Sequence, residues 1–237
     1  MPNWCTIQMT ARGPKADVER MIEFMRSESE DGKFKTPFDF NKLIPMPEEL
    51  GQITKGSSQS HGLAILEEDS TERDFRNALA FLAQSDPAFG SSDGTAAPLT
   101  RSQAIAALRA SSSSAARDCL LQAERSLSAR AKYGVSDWYD WSVRYWGTKW
   151  NACEPQVDEI FVDGDQASVR ISFDTAWSFP TPVIEAFVKK FDTLALDLQA
   201  DEEGHFFYAN GHGEKGELTL ESFEGCRPGG PYDHGDD

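Results

Sequence analysis

The chain is poor in the signatures that announce a reaction. It has no glycine-rich loop of the GxGxxG or Walker type, no HExxH and no GxSxG. The common nucleotide-binding, zinc-protease and hydrolase readings are therefore set aside. Its four cysteines, Cys5, Cys119, Cys153 and Cys226, form no CxxC pair, which excludes a zinc ribbon or thioredoxin motif on spacing. The opening MPNWCTIQMT lacks the basic and apolar regions of a secretory segment, so the cysteines read as reduced thiols and the expected compartment is the cytoplasm. No apolar run approaches the roughly 20 residues that span a bilayer, so no membrane partner is expected. Basic residues are scarce as well. Lys and Arg total 23 against 39 Asp and Glu, a net charge of −16. Such a field disfavours nonspecific binding to duplex nucleic acid.

What is present is enough apolar material for a sizeable core, 39% of 237 residues, with 11% aromatic. The negative charge is concentrated, with −10 falling in residues 192–237. Within that stretch Asp197, Asp201, Glu202 and Glu203 form the candidate partner surface, suited to a host protein with a basic face. Residues 100–134 are locally basic, through Arg101, Arg109, Arg117, Arg125, Arg130 and Lys132. Eight-residue spacing drifts about 80° per step on a helix, so the first four make no phosphate stripe. They are expected to pair with the acidic C-terminal region, in the same chain or another subunit. His205 and His212, with Cys226 and His234 beyond, lie among glycines and read as solvated loop residues. No metal and no cofactor is expected.

Four of the six tryptophans sit in DWYDWSVRYWGTKWNAC, residues 137–153. Trp138, Trp141 and Tyr145 recur at helical spacing, and Gly147 falls where a left-handed helix end is needed. Asp137 suits the helix cap better than acid–base work with Asp140. The stretch is a core plug on one reading, with Trp138, Trp141 and Trp146 packing. On the other it is a binding site of Tyr139, Trp146, Lys149 and Trp150, where rings stack a base or sugar and the ammonium meets a phosphate.

Asn3 to Ala11 alternates as a strand, broken at Gly13-Pro14, and a helix follows from Ala16 to Phe24. Pro47 opens a short helix, and Gly51 to Gly62 has the composition of a flexible linker. Helices are expected over 72–83, 99–110 (Thr100 and Gln103 at capping-box spacing) and 115–133, with a loop over 84–98. From Gln156 strands take over: 157–162 and 167–173 joined by Asp163-Gly164-Asp165, a helix after Pro182, then 194–199, 205–209 and 217–221. Gly211 and Gly213 read as the turn between the last two. The fold class is therefore α+β. A ferredoxin-like antiparallel sheet, βαββαβ plus an extra hairpin, carries a large helical insertion after the first helix. Residues 1–50 and 151–224 form the core, 51–150 the mostly helical insertion ending in the tryptophan segment, and 225–237 a flexible acidic tail.

Three strings together, Asn3-Trp4-Cys5 before Gly13-Pro14, FNKLIPMP at 40–47, and WYDW with WGTKW at 138–150, resemble the YubB-like family of plasmid and phage proteins. The resemblance implies a mobile-element origin and a ferredoxin-like C-terminal part. It brings no established activity. Members often carry Asp where this chain has Asn151. The favoured function is a non-enzymatic protein acting by protein–protein contact through an acidic surface, interfering with a host defence or nucleic-acid-handling protein. The alternative is a nucleic-acid or nucleotide-binding protein using Trp146, Lys149 and Trp150. An RNA-recognition role would need exposed aromatics on the two central strands.

Overall fold

The structure is a computed structural model, and it describes residues 2–28, 35–90, 99–230 and 232. In chain order the elements are β1 (Trp4–Pro14), α1 (Lys15–Met25), β2 (Ser27–Glu28), β3 (Lys35–Thr36), α2 (Glu48–Gly51), α3 (Ser57–Leu66), α4 (Glu72–Ala83), α5 (Arg101–Ala110), α6 (Ser114–Tyr133) and α7 (Trp138–Tyr145). Then come β4 (Cys153–Asp163), β5 (Gln166–Ala176), α8 (Thr181–Lys190), β6 (Ala195–Glu202), β7 (Phe207–Glu214) and β8 (Glu217–Glu224). They form two compact units. One is Met1–Met46 with Ser142–Asp237, the other Pro47–Trp141.

In the first unit a six-stranded sheet runs β4-β5-β1-β6-β7-β8, with each neighbouring pair antiparallel. The first four strands with α1 and α8 are the expected ferredoxin-like plait, widened by the β7–β8 hairpin. The strict alternation of β1 explains its central place. Cys5, Ile7, Met9 and Ala11 are buried on one face, against Val169, Ile171 and Phe173 of β5 and Leu196, Leu198 and Ala200 of β6. Val18, Met21 and Met25 of α1 and Val183, Ile184, Phe187 and Val188 of α8 supply the rest of that core. Phe38 joins it, its ring stacked 5.0 Å from Phe173 and 5.9 Å from Phe187. Burying side chains of this size is worth about 1.5–3 kcal/mol each.

The structure redraws three expected boundaries. β1 runs on through Gly13 and Pro14, registered against Ala167 and Gln166 of β5, and a Cβ at Gly13 would stand 2.8 Å from Leu194. Gly211 and Gly213 lie inside β7, not in a turn. A Cβ on Gly211 would meet Leu198 at 2.8 Å and one on Gly213 would meet Val188 at 2.5 Å, so these glycines admit close packing from below. The real β7–β8 turn is Lys215-Gly216, both at positive φ, as a two-residue type I′ hairpin requires. Part of the presumed linker at 51–62 is α3.

The second unit is helical. Phe75, Leu79 and Leu82 of α4, Leu108 of α5, and Ala116 and Cys119 of α6 form its core with Ile65 of α3. Thr100 and Gln103 make the expected capping box. Gly62 of α3 lies against α6. A Cβ there would overlap the Cys119 carbonyl and stand 2.7 Å from the Ala123 Cβ. Four of the basic helical residues, Arg101, Arg125, Arg130 and Lys132, find partners within their own unit. Arg101 donates to the carbonyls of Ala64, Ile65 and Glu67, Arg125 to that of Gln52, and Lys132 pairs with Glu49 at 2.7 Å.

A polar clasp closes the first unit where the helical insertion leaves and returns. Asp39 accepts hydrogen bonds from Asn41 N, Asn41 Nδ2 and Asn151 Nδ2, the last at 2.7 Å, and from Ser27 Oγ. Asn151 Oδ1 in turn accepts from Phe40 N and Ala152 N, both at 2.9 Å. Burial alone would raise the Asp39 carboxyl, but the bonds from Ser27, Asn151 and Asn41 outweigh it and hold the group below the usual carboxylate range.

Two stability predictions follow from these contacts. Gly62→Ala should cost about 1–3 kcal/mol by urea unfolding, despite the roughly 1 kcal/mol helix-propensity gain of alanine, because the α6 backbone must yield. Gly51→Ala, with nothing within 4 Å of its Cβ, should be neutral or better. Asn151→Asp should cost about 2–4 kcal/mol at neutral pH, since it turns a donor into a second carboxylate beside Asp39. The sign on pH is set by that pair. Asp39's lowered value stabilises wild type above the ordinary carboxylate range and is lost as pH falls through its folded value. The variant's deficit should therefore shrink once acid protonates one carboxyl. A deficit unchanged between neutral pH and about pH 4 would remove the electrostatic account.

Candidate functional site

The sheet face opposite α1 and α8 is polar, and cross-strand register arranges it in rows. One row reads Asp174, Thr6, Asp201, Tyr208 and Phe223; the next Ser172, Gln8, Gln199, Asn210 and Glu221; the next Arg170, Thr10, Asp197, His212 and Thr219. At one end come Phe161, Ser168, Arg12 and Ala195. The central strands β1 and β6 thus place amides, hydroxyls and carboxylates here, while Phe173 is buried on the other face. Among the described residues the open face of β1 and β6 carries one aromatic, the half-buried Trp4 at the end of β1, short of the set a base-stacking platform uses.

The acidic residues expected to form a partner surface do not form one patch. Strand alternation sends Asp197 and Asp201 to the open face and Glu202 to the core side. Glu202 is 3% exposed, its carboxylate accepting from Phe206 N at 3.0 Å. Asp201 is buried too and pairs with Arg227 at 2.7 Å. Asp197 is shared by Arg12 and by His212 Nδ1, the latter at 2.7 Å. Glu203 is exposed and its Oε1 accepts from Trp4 N at 2.9 Å. The carboxylates are largely compensated because the arginines of the same face reach them. Arg227 lies in the segment read as a flexible tail. Its guanidinium also donates to Asn210 Oδ1 and to the Ala200 and Ala209 carbonyls, and its charge sits 4.9 Å from the Tyr208 ring centroid. Residues 231 and 233–237 of that tail lie outside the described residues.

The four proposed binding residues divide as well. Trp146 is core, 4% exposed, its Nε1 donating to the Ile44 carbonyl at 2.9 Å and its ring edge-on to Phe40. Gly147 has the expected left-handed conformation, φ 79°, close under Pro182. Lys149 lies 4.5 Å from the Trp150 ring centroid, and Trp150 tilts against Trp4 at 6.0 Å. These three are half-buried. Tyr139 belongs to the helical unit, with Lys55 Nζ 4.2 Å from its ring centroid. In that unit Asp137 caps α7, its Oδ1 accepting from Tyr139 N and Asp140 N, while Oδ2 accepts from the buried Gln59. It is a buried structural acid, held also by Lys55 at 3.3 Å.

Three of the thiols, Cys5, Cys119 and Cys153, are made poor nucleophiles by burial. Burial pushes Cys5 up to about 12 and Cys119 up to about 11. Among the described residues no group of His, Cys, Asp and Glu could hold a metal ion, and no helix is long and apolar enough to cross a membrane.

Three features of the sheet had no place in the site read from sequence. On β4 Phe161 lies on the open face, whereas Ile160 and Val162, opposite the buried Val169 and Ala167, lie on the other. β4 is an edge strand on which three consecutive apolar residues, Ile160, Phe161 and Val162, are 56%, 61% and 48% exposed. The exposed acids Asp158, Glu159 and Asp163 flank them. The signal was present as a break in apolar–polar alternation. Next to Phe161 a cavity of about 740 Å³ opens at the end of the sheet. A second, polar hollow of about 620 Å³ lies over Gln8, Thr10, Arg170, Gln199 and Asn210.

Residues 145–225 match the family model described as a ferredoxin-like domain in Api92-like protein. A crystal structure of the protein Api92 from Yersinia pseudotuberculosis aligns with a TM-score of 0.40 and 16% identity, covering 96% of this chain and 100% of that one. No curated protein matches the chain. The family description names Api92-like proteins rather than the YubB-like family that the motifs suggested. The chain carries, at 145–225, a ferredoxin-like domain with a large helical region before it.

Proposed function

We propose that the chain is a non-enzymatic interaction protein of mobile-element type. It takes an extended, basic segment of a host protein along the free edge of β4. The observation that carries this reading is the Ile160-Phe161-Val162 run, exposed on an unpaired edge between acids. An edge strand presents unpaired backbone donors and acceptors to an incoming strand. Proteins usually blunt such edges with lysines, proline or bulges; β4 has Pro155 and irregular register up to Glu159, and past them its end is an apolar run. Each main-chain hydrogen bond gained is worth about 0.5–1.5 kcal/mol, and covering the three side chains adds hydrophobic burial. The acidic flanks select the partner's charge. This moves the acidic interaction surface expected from sequence, Asp197 to Glu203, to Asp158, Glu159 and Asp163. A host defence or nucleic-acid-handling protein offers suitable lysine-rich and arginine-rich segments.

The test is selection of binders from a random-peptide display library on the immobilised full chain. Enriched peptides should be rich in Lys, Arg and β-branched residues. Their affinity should fall at least about tenfold for the Ile160→Lys/Val162→Lys variant, and by a similar factor from about 0.05 M to about 0.5 M salt. Binders indifferent to the double variant, or none at all, would sink the reading.

A further inference from the structure

Resting on that reading of β4, we infer that the cavity beside Phe161 is the anchor pocket for the partner's segment. It takes one large apolar or aromatic side chain, from a strand whose same-face neighbours are Lys or Arg. Phe161, Ser168, Arg12 and Ala195 are cross-strand neighbours on one face, so the row starts with a ring on the edge and continues over a short Ser168 side chain. The space above the small residues Ser168 and Ala195 belongs to the cavity of about 740 Å³, within the usual range of ligand pockets. Leu194 and Pro14 add apolar wall. Among the described residues no other ring packs on Phe161, which leaves one of the largest exposed apolar surfaces of the chain facing this space.

Charge decides what surrounds the anchor. The two cations at the cavity are already matched, Arg12 by Asp197 and Lys215 by Glu214 at 3.5 Å. Asp163 and Asp192, also at the cavity, have no ion-pair partner among the described residues. The unmatched charge is therefore negative. An anionic ligand such as a nucleotide meets that excess, whereas a lysine or arginine relieves it. Geometry fixes the spacing. Side chains two apart on an added strand share a face at roughly 6.6 Å, and Asp163 is two residues from Phe161 on β4. A basic residue two positions from the anchor thus reaches Asp163 while the anchor fills the cavity.

The test is chemical-shift mapping on the isotope-labelled full chain with acetyl-Lys-Thr-Phe-Thr-Lys-amide. Saturable shifts are expected at Phe161, Ser168, Ala195 and Lys215. Acetyl-Lys-Thr-Ala-Thr-Lys-amide and acetyl-Glu-Thr-Phe-Thr-Glu-amide should bind at least about tenfold more weakly. Ala195→Trp should abolish the cavity shifts, and Phe161→Ala, at an exposed site, serves if the first variant perturbs the fold. Shifts confined to the β4 backbone and unchanged by both variants would overturn the pocket while leaving the edge reading standing. No shift at all would also overturn the pocket, with the edge decided separately by the Ile160→Lys/Val162→Lys display result.

Discussion

One side-chain amide holds the ends of the ferredoxin-like unit's interrupted chain together. Asn151 donates to Asp39 and accepts from Phe40 N and Ala152 N, so a single residue after the insertion fixes three groups before and beside it. Trp146 reinforces the same junction through the Ile44 carbonyl and the Phe40 ring. The entropic penalty for closing a loop grows only with the logarithm of its length, on the order of 4 kcal/mol for a loop of about 100 residues. A well-satisfied clasp and a few buried rings offset that. This explains physically why the FNKLIPMP and WGTKWN strings occur in one chain: each supplies half of one polar network. Of that segment's tryptophans, Trp141 and Trp146 are buried, while Trp138 and Trp150 are half-buried.

Strands and helices with strong periodicity were legible in the sequence. β1, α4, α5, α6 and the β4–β5 hairpin follow from alternation, helical spacing and turn chemistry. What escaped was decided by packing between elements distant in sequence. Gly62, Gly211 and Gly213 read as flexible punctuation, yet each sits where another backbone or a valine or leucine approaches too closely for a Cβ. Composition cannot distinguish a glycine that turns from a glycine that admits a neighbour. The DEE run at 201–203 read as surface for a similar reason. Extending β6 three residues past the expected end at Gln199 sends Glu202 inward and lays Asp201 under Arg227, a residue far along the chain. The candidate site was legible only in part. The tryptophan helix and its cap were visible, but the exposed edge run required knowing that β4 has no strand on its outer side among the described residues.

Charge in this protein is distributed by pairing rather than by excess. The open sheet face contains acids and arginines in nearly matched rows, so its field is weak although the chain as a whole is strongly negative. At the apolar edge Glu159 pairs with Arg170 at 3.4 Å and Asp158 accepts from Ser172, while Asp163 has no ion-pair partner among the described residues. That arrangement combines a local hydrophobic attraction with a charge filter, which is how specificity and association rate are commonly separated.

The bare edge of β4 also determines how copies of the chain treat one another. A free strand is the usual seed of sheet-to-sheet assembly, because two identical edges can pair antiparallel. Pairing about the Ile160–Phe161 peptide would set Asp158 opposite Asp163 twice over. Pairing centred on Phe161 would set Glu159 opposite Asp163. Like charges directly opposed across strands are destabilising. The acids on both sides of the apolar run therefore oppose pairing of this edge with a second copy of itself in these two registers.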